Sequence, residues 1–94
     1  MFNREPSRMF MDKIMAGLDE IHLLDELPNA VKNPNDFAEF MRFVDESLLD
    51  ACGHDMHAYQ AVRDGMNAIL HGETVDNRCL PQRARTFMQA FEVA

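Results

Sequence analysis

The stretch Asp50-Ala51-Cys52-Gly53-His54-Asp55-Met56-His57 sits between two segments with helical apolar periodicity. Glycine takes the left-handed conformation that closes a helix without a side-chain clash. Aspartate accepts hydrogen bonds from the first free amides of a helix. Gly53 and Asp55 therefore read as a stop and a start, and the stretch as a helix–glycine–helix corner. It also holds a thiol and two imidazoles, Cys52, His54 and His57, within six residues.

Upstream of the corner, Phe37, Phe40, Met41, Val44, Leu48 and Ala51 fall on one helical face. That helix has its start at Asn33 or Asn35, each a good cap, followed by Pro34 or Asp36 in the first turn. Phe43 and Leu49 lie off the stripe, and a helix apolar beyond one face packs on two sides or belongs to an oligomer. Downstream, Tyr59, Val62, Met66 and Ile69 form the next stripe, with Leu70 beside it. Ala58, Ala61 and Ala68 are small enough for close helix approach, and His71 precedes the closing Gly72. After the polar segment Glu73–Arg78, Leu80, Ala84, Phe87, Met88 and Phe91 define a last helix. Arg78, Arg83 and Arg85 oppose the dipole at its start, which predicts acidic partners in the first half of the chain.

At the other end, Phe10, Ile14, Leu18 and Ile21 recur at spacings of four, four and three, and Met11 and Met15 widen that face. Pro6 and Ser7 suit a helix start. Pro28 predicts the helix end near residues 24–27, because proline disfavours helical geometry in the residue before it. Residues 27–35 hold two prolines and three asparagines and read as a connection, with Leu27 and Val31 plugging into the core. Period-two alternation never persists, so no strand is expected. The expectation is an all-α, compact four-helix bundle-like domain over residues 1–94, with helices near 6–26, 35–52, 55–71 and 80–92 and a Pro/Asn-rich connection after the first.

Ninety-four residues bound the chain to one domain. An apolar content of 47% argues for a folded protein. The opening residues lack an apolar signal core, no apolar run is long enough to span a membrane, and two cysteines make no disulfide framework. These features together predict a cytoplasmic protein with reduced thiols and no membrane association. The net charge is −7, and residues 1–52 carry most of it, with 5 basic against 11 acidic side chains. Such a field disfavours direct binding of nucleic acid; it either serves solubility alone, as in many acidic proteins, or suits a basic protein partner.

Cys52, His54 and His57 are zinc-type ligands that would need a further one from His22, His71, Cys79 or a carboxylate. Ala51-Cys52-Gly53-His54-Asp55-Met56-His57-Ala58 resembles the Ala-Cys-Gly-His-Asp-x-His segment of the amidohydrolase and aminoacylase group of metallopeptidases. In that group the positions matching Cys52 and His54 bind metal. The likeness covers eight of 94 residues. Those enzymes are several times longer and draw further ligands and a catalytic glutamate from remote motifs absent here, so the activity is not carried over. Capping accounts for the same residues without a metal. No catalytic residue, cofactor or Gly-rich phosphate loop is expected; Cys52 and Cys79 lack a recognisable base and oxyanion site.

What remains is a small acidic non-enzymatic helical protein that binds a larger protein or complex. Size, acidity and the absence of motifs are shared with phage-type inhibitors of host defence or nucleic-acid-processing systems, some of which act by nucleic-acid mimicry. This is an analogy of type, not of matched residues. The candidate partner-binding carboxylates are Asp12, Asp19, Glu20, Asp25 and Glu26 on the first helix and Glu39, Asp45, Glu46 and Asp50 on the second. Met11, Met15, Phe43 and Leu49, with Phe2 and Met9, are an apolar surplus that a partner groove or self-association would cover. The alternatives are a metal-binding protein centred on Cys52, His54 and His57, and a homo-oligomeric structural or assembly subunit.

Overall fold

Apolar residues at helical spacing find their partners in four helices. The computed structural model describes residues 8–27 and 37–94. In order, α1 spans Arg8–Glu20, a 3-10 turn Leu24–Glu26, α2 Phe37–Ala51, α3 Met56–Leu70 and α4 Gln82–Val93. There is no strand among the described residues, and the all-α class stands. The expected starts at Pro6 or Ser7 and at Asn33 or Asn35, and most of the connection with Val31, lie outside the described residues.

The last helix is the hub: α4 packs along α1 and also meets α3 and α2. Its stripe of Ala84, Phe87, Met88 and Phe91 is buried throughout, with Leu80 just ahead of it. Ile14, Leu18 and Ile21 of α1, Phe40, Val44, Leu48 and Ala51 of α2, and Val62 and Met66 of α3 complete the core. The two-sided packing anticipated for α2 is observed, against α3 and α4.

The seam between α1 and α4 is held by residues without a periodic signature. The Lys13 ammonium donates to the carbonyl oxygens of Phe91, Glu92 and Ala94 at 3.1, 3.3 and 2.8 Å. At the opposite end of the seam the Arg83 guanidinium donates to the Ile21 carbonyl at 3.2 Å. These two contacts make the helices antiparallel, and each places a cation at the carbonyl end of a helix, where the dipole favours it. Lys13 is only 8% exposed. Between the two contacts, the Phe87 ring lies on the backbone of α1 at Gly17, where a Cβ would come within 2.5 Å of the ring. Phe87 stacks on Phe91 at 6.1 Å between centroids, and Phe10 meets Phe91 edge-on at 6.3 Å. Close approach at this seam therefore rests on Gly17; of the small residues expected to serve α3, Ala58 packs partly buried against the core and Ala61 is exposed.

The first helix is shorter than its periodicity predicts. It ends at Glu20, ahead of the region 24–27 that Pro28 marks. His22 adopts φ 61°. Its amide donates to the Asp19 carbonyl at 3.0 Å, and the Leu23 amide reaches back to Leu18 at 2.8 Å. This pair of bonds is the Schellman closure, with histidine in the position usually given to glycine. Leu27 is nonetheless buried, as expected of a core plug.

Candidate functional site

At the Asp50–His57 corner the local chemistry of capping decides the geometry. Gly53 has φ 66°, and its amide donates to the Asp50 carbonyl at 2.9 Å while the His54 amide reaches Leu49 at 2.9 Å. The Asp55 carboxylate accepts from the amides of His57 and Ala58 at 2.9 and 3.4 Å, starting α3. Cys52 points into the core at 2% exposure, and its thiol is pushed up by burial and by the nearby Asp55 charge. That disfavours the thiolate a metal needs. His54 and His57 are exposed, and His54 Nε2 lies 3.6 Å from Asp50. Among the described residues no three His, Cys, Asp or Glu side chains converge as a metal site, so the proposed ligand set is not brought together. His71, at the end of α3, has its Nδ1 2.8 Å from the Asn67 carbonyl.

The candidate carboxylates divide by helix. On α2, Glu39 pairs with Arg42 at 3.2 Å and Asp45 with Arg63 at 2.8 Å. Arg63 also donates to the Tyr59 hydroxyl at 2.9 Å. Burial works against the Arg63 charge, but the bonds to Tyr59 and Asp45 outweigh it and raise its pKa. Asp50 receives Arg83 at 3.2 Å and faces His54. Only Glu46 of the α2 candidates is exposed and without an ion pair among the described residues. Three of the four α2 positions thus also take part in pairs within the chain. By contrast Asp12, Asp19 and Glu20 of α1, and Asp25 and Glu26 in the turn after it, are all exposed and have no ion-pair partner among the described residues.

The arginines near the start of α4 behave individually. Arg83 pairs with the first half of the chain, as its position against the dipole predicts. Arg78 does not: it binds Asp76 two residues away, at 2.9 Å. The hydrogen bonds from Arg78 hold the Asp76 carboxyl down at about 2. Arg85 has a buried Nε without a hydrogen-bond partner among the described residues.

The apolar surplus is largely absorbed. Met11, Met15 and Phe43 pack partly buried against the core, and Leu49 is half-buried. Large apolar side chains remain exposed at Met9, Met56 and Val93, with Val93 84% exposed. No helix among the described residues is long and apolar enough to cross a membrane.

Val93 borders an open groove of about 360 Å³ on one side of the α1–α4 seam, with Ala16, Asp19 and Glu20 on the α1 wall and Thr86 and Ala90 on the α4 wall. Sequence reasoning found the two carboxylates but not Ala16, Thr86 and Ala90. Their only signal is the three- and four-residue spacing of small side chains next to the core stripe. Neither a protein-family model, nor a curated protein, nor a solved structure matches the chain.

Proposed function

We propose that the chain is a non-enzymatic interaction module that binds a basic surface of a larger protein or complex through the carboxylates of α1 and the turn after it. The supporting observation is the division of the acidic side chains. Those of α2 are mostly paired with Arg42, Arg63 and Arg83, while Asp12, Asp19, Glu20, Asp25 and Glu26 are exposed and have no ion pair among the described residues. Unpaired carboxylates on a chain of net charge −7 steer it toward cationic surfaces. A surface that binds nucleic-acid phosphates is one such partner, and occupying it would be inhibition by mimicry.

The reading is tested by charge reversal. Asp19→Lys, Glu20→Lys, Asp25→Lys and Glu26→Lys are combined in one variant. The control, Glu73→Lys with Glu92→Lys, places new charge elsewhere on the exposed surface. Basic proteins captured from a native extract by the unaltered chain should be lost with the α1 variant and retained by the control. They should also dissociate between about 50 and 500 mM salt, where the Debye length shortens several-fold. Capture that is indifferent to both the α1 variant and salt overturns the proposal.

A further inference from the structure

The groove beside the α1–α4 seam joins two kinds of surface that seldom suit the same ligand. Ala16 and Ala90 give it small apolar walls, and Val93 adds an exposed apolar rim. Asp19 and Glu20 bring to the α1 side two exposed carboxylates that have no ion pair among the described residues. From Thr86 to Val93 the α4 wall runs roughly 10 Å, at about 1.5 Å per helical residue. A volume of about 360 Å³ lies at the small end of the range for ligand pockets. That is room for one or two side chains rather than a packed helix.

The two cations that bridge this seam, Lys13 and Arg83, form no ion pair with Asp19 or Glu20, which have none among the described residues. Lys13 is held by three carbonyl oxygens at the end of α4, and Arg83 by Asp50 and the Ile21 carbonyl. The Thr86 hydroxyl is likewise turned to its own helix, donating to the Gln82 carbonyl at 3.0 Å. The groove therefore offers apolar contact and unneutralised negative charge together. Lysine and arginine present that complement, with an aliphatic stem that covers apolar surface and a charged head that stays at its edge.

We infer that the groove seats a lysine or arginine side chain from a basic protein segment. The stem lies along Ala16, Ala90 and Val93, and the head meets Asp19 and Glu20. This rests on the reading of α1 as a partner-binding edge and assigns that edge a specific anchoring point.

The test is an amide NMR titration of the full chain at low salt with two capped peptides. One is an alanine-based hexapeptide carrying two lysines. The other replaces both lysines by norleucine, keeping the stem and removing the charge. Shifts should concentrate at Ala16, Asp19, Glu20, Thr86, Ala90 and Val93 and be about ten-fold weaker for norleucine, the factor that a difference of one charged contact produces. Gln89→Trp, from an exposed position at the groove, should abolish them by filling it. Asp19→Asn with Glu20→Gln should do the same without changing shape, whereas Asp25→Asn with Glu26→Gln should leave the shift pattern in place. Shifts spread evenly over Asp12, Asp25 and Glu26, and unmoved by Gln89→Trp, would overturn the groove while keeping the acidic edge. Absence of lysine-dependent shifts anywhere would overturn both. Equal binding of the norleucine peptide would make the groove an apolar site and overturn its assignment to a cation.

Discussion

Where α2 meets α3, neighbours in the chain do the joining: Gly53 closes one helix and Asp55 opens the next, each through bonds to residues two to five positions away. Where α1 meets α4, the joining residues stand far apart. Lys13 reaches Phe91, Glu92 and Ala94, Gly17 receives Phe87, and Arg83 reaches Ile21. A corner of the first kind is specified by local conformational preference and would form in many contexts. A seam of the second kind exists only once the helices have met, and its polar contacts are buried or partly buried, where a donor or acceptor left without its partner costs most. The open groove lies beside the seam with Asp19 and Glu20 in its lining, so that part of the candidate binding edge belongs to the region held together by long-range contacts.

The largest expected difference between the two regions is steric. Gly17→Val places methyl groups where the Phe87 ring lies, with its Cβ at 2.5 Å from the nearest ring carbon. Overpacking of this kind costs about 3 kcal/mol, read as a lower urea midpoint at an unchanged slope. Pairing it with Phe87→Leu should recover part of the loss, and a strictly additive double mutant would show that ring and glycine are not coupled.

Lys13→Met comes next. Methionine keeps much of the stem but leaves carbonyl oxygens at the end of α4 without their donor, at a cost of about 2 kcal/mol. The loss should appear first as faster amide exchange in the last turn of α4, and equal exchange in the unaltered and substituted chains would argue that the ammonium contributes nothing there. Neither effect has a counterpart at the corner. Asp55→Ala removes a cap whose partners are exposed amides of His57 and Ala58, and the expected loss is about 1 kcal/mol. A loss from Asp55→Ala exceeding that from Lys13→Met would reverse the comparison.

The same contrast explains which features were legible in the sequence. The corner, the apolar stripe of α4 and the all-α class follow from spacing and capping, since both act over a few residues. Lys13 reads as one more solvated charge on α1 until α4 lies over it. Gly17 reads as a weak helix residue until Phe87 needs the space. Glu39 has Arg42 three residues on in its own helix, but the other candidate carboxylates look equivalent because the pairing of Asp45 and Asp50 depends on Arg63 and Arg83, which belong to other helices. Cys52, His54 and His57 look like one cluster because they are close in sequence; the left-handed turn sends the thiol inward and leaves both imidazoles outside.

The end of α1 offers the smallest and most discriminating test. His22 at φ 61° and Gly53 at φ 66° hold the same position in the same closing pattern, one at the seam and one at the corner. A non-glycine residue in the left-handed region is strained by about 1 kcal/mol or more. Relief of that strain in His22→Gly is partly offset by the greater freedom glycine gives the unfolded chain, about 0.4–1 kcal/mol. The net is a gain of a few tenths, roughly 0.5 kcal/mol, visible as a small rise in the urea midpoint. Gly53→His is the mirror experiment and should lose a similar amount, because nothing lies within 4 Å of a Cβ built there and backbone strain is the only cost. Equal and opposite shifts would show that both closures answer to backbone preference alone. Since His22 is exposed, a loss of stability in His22→Gly would locate an interaction of that imidazole beyond the closing turn.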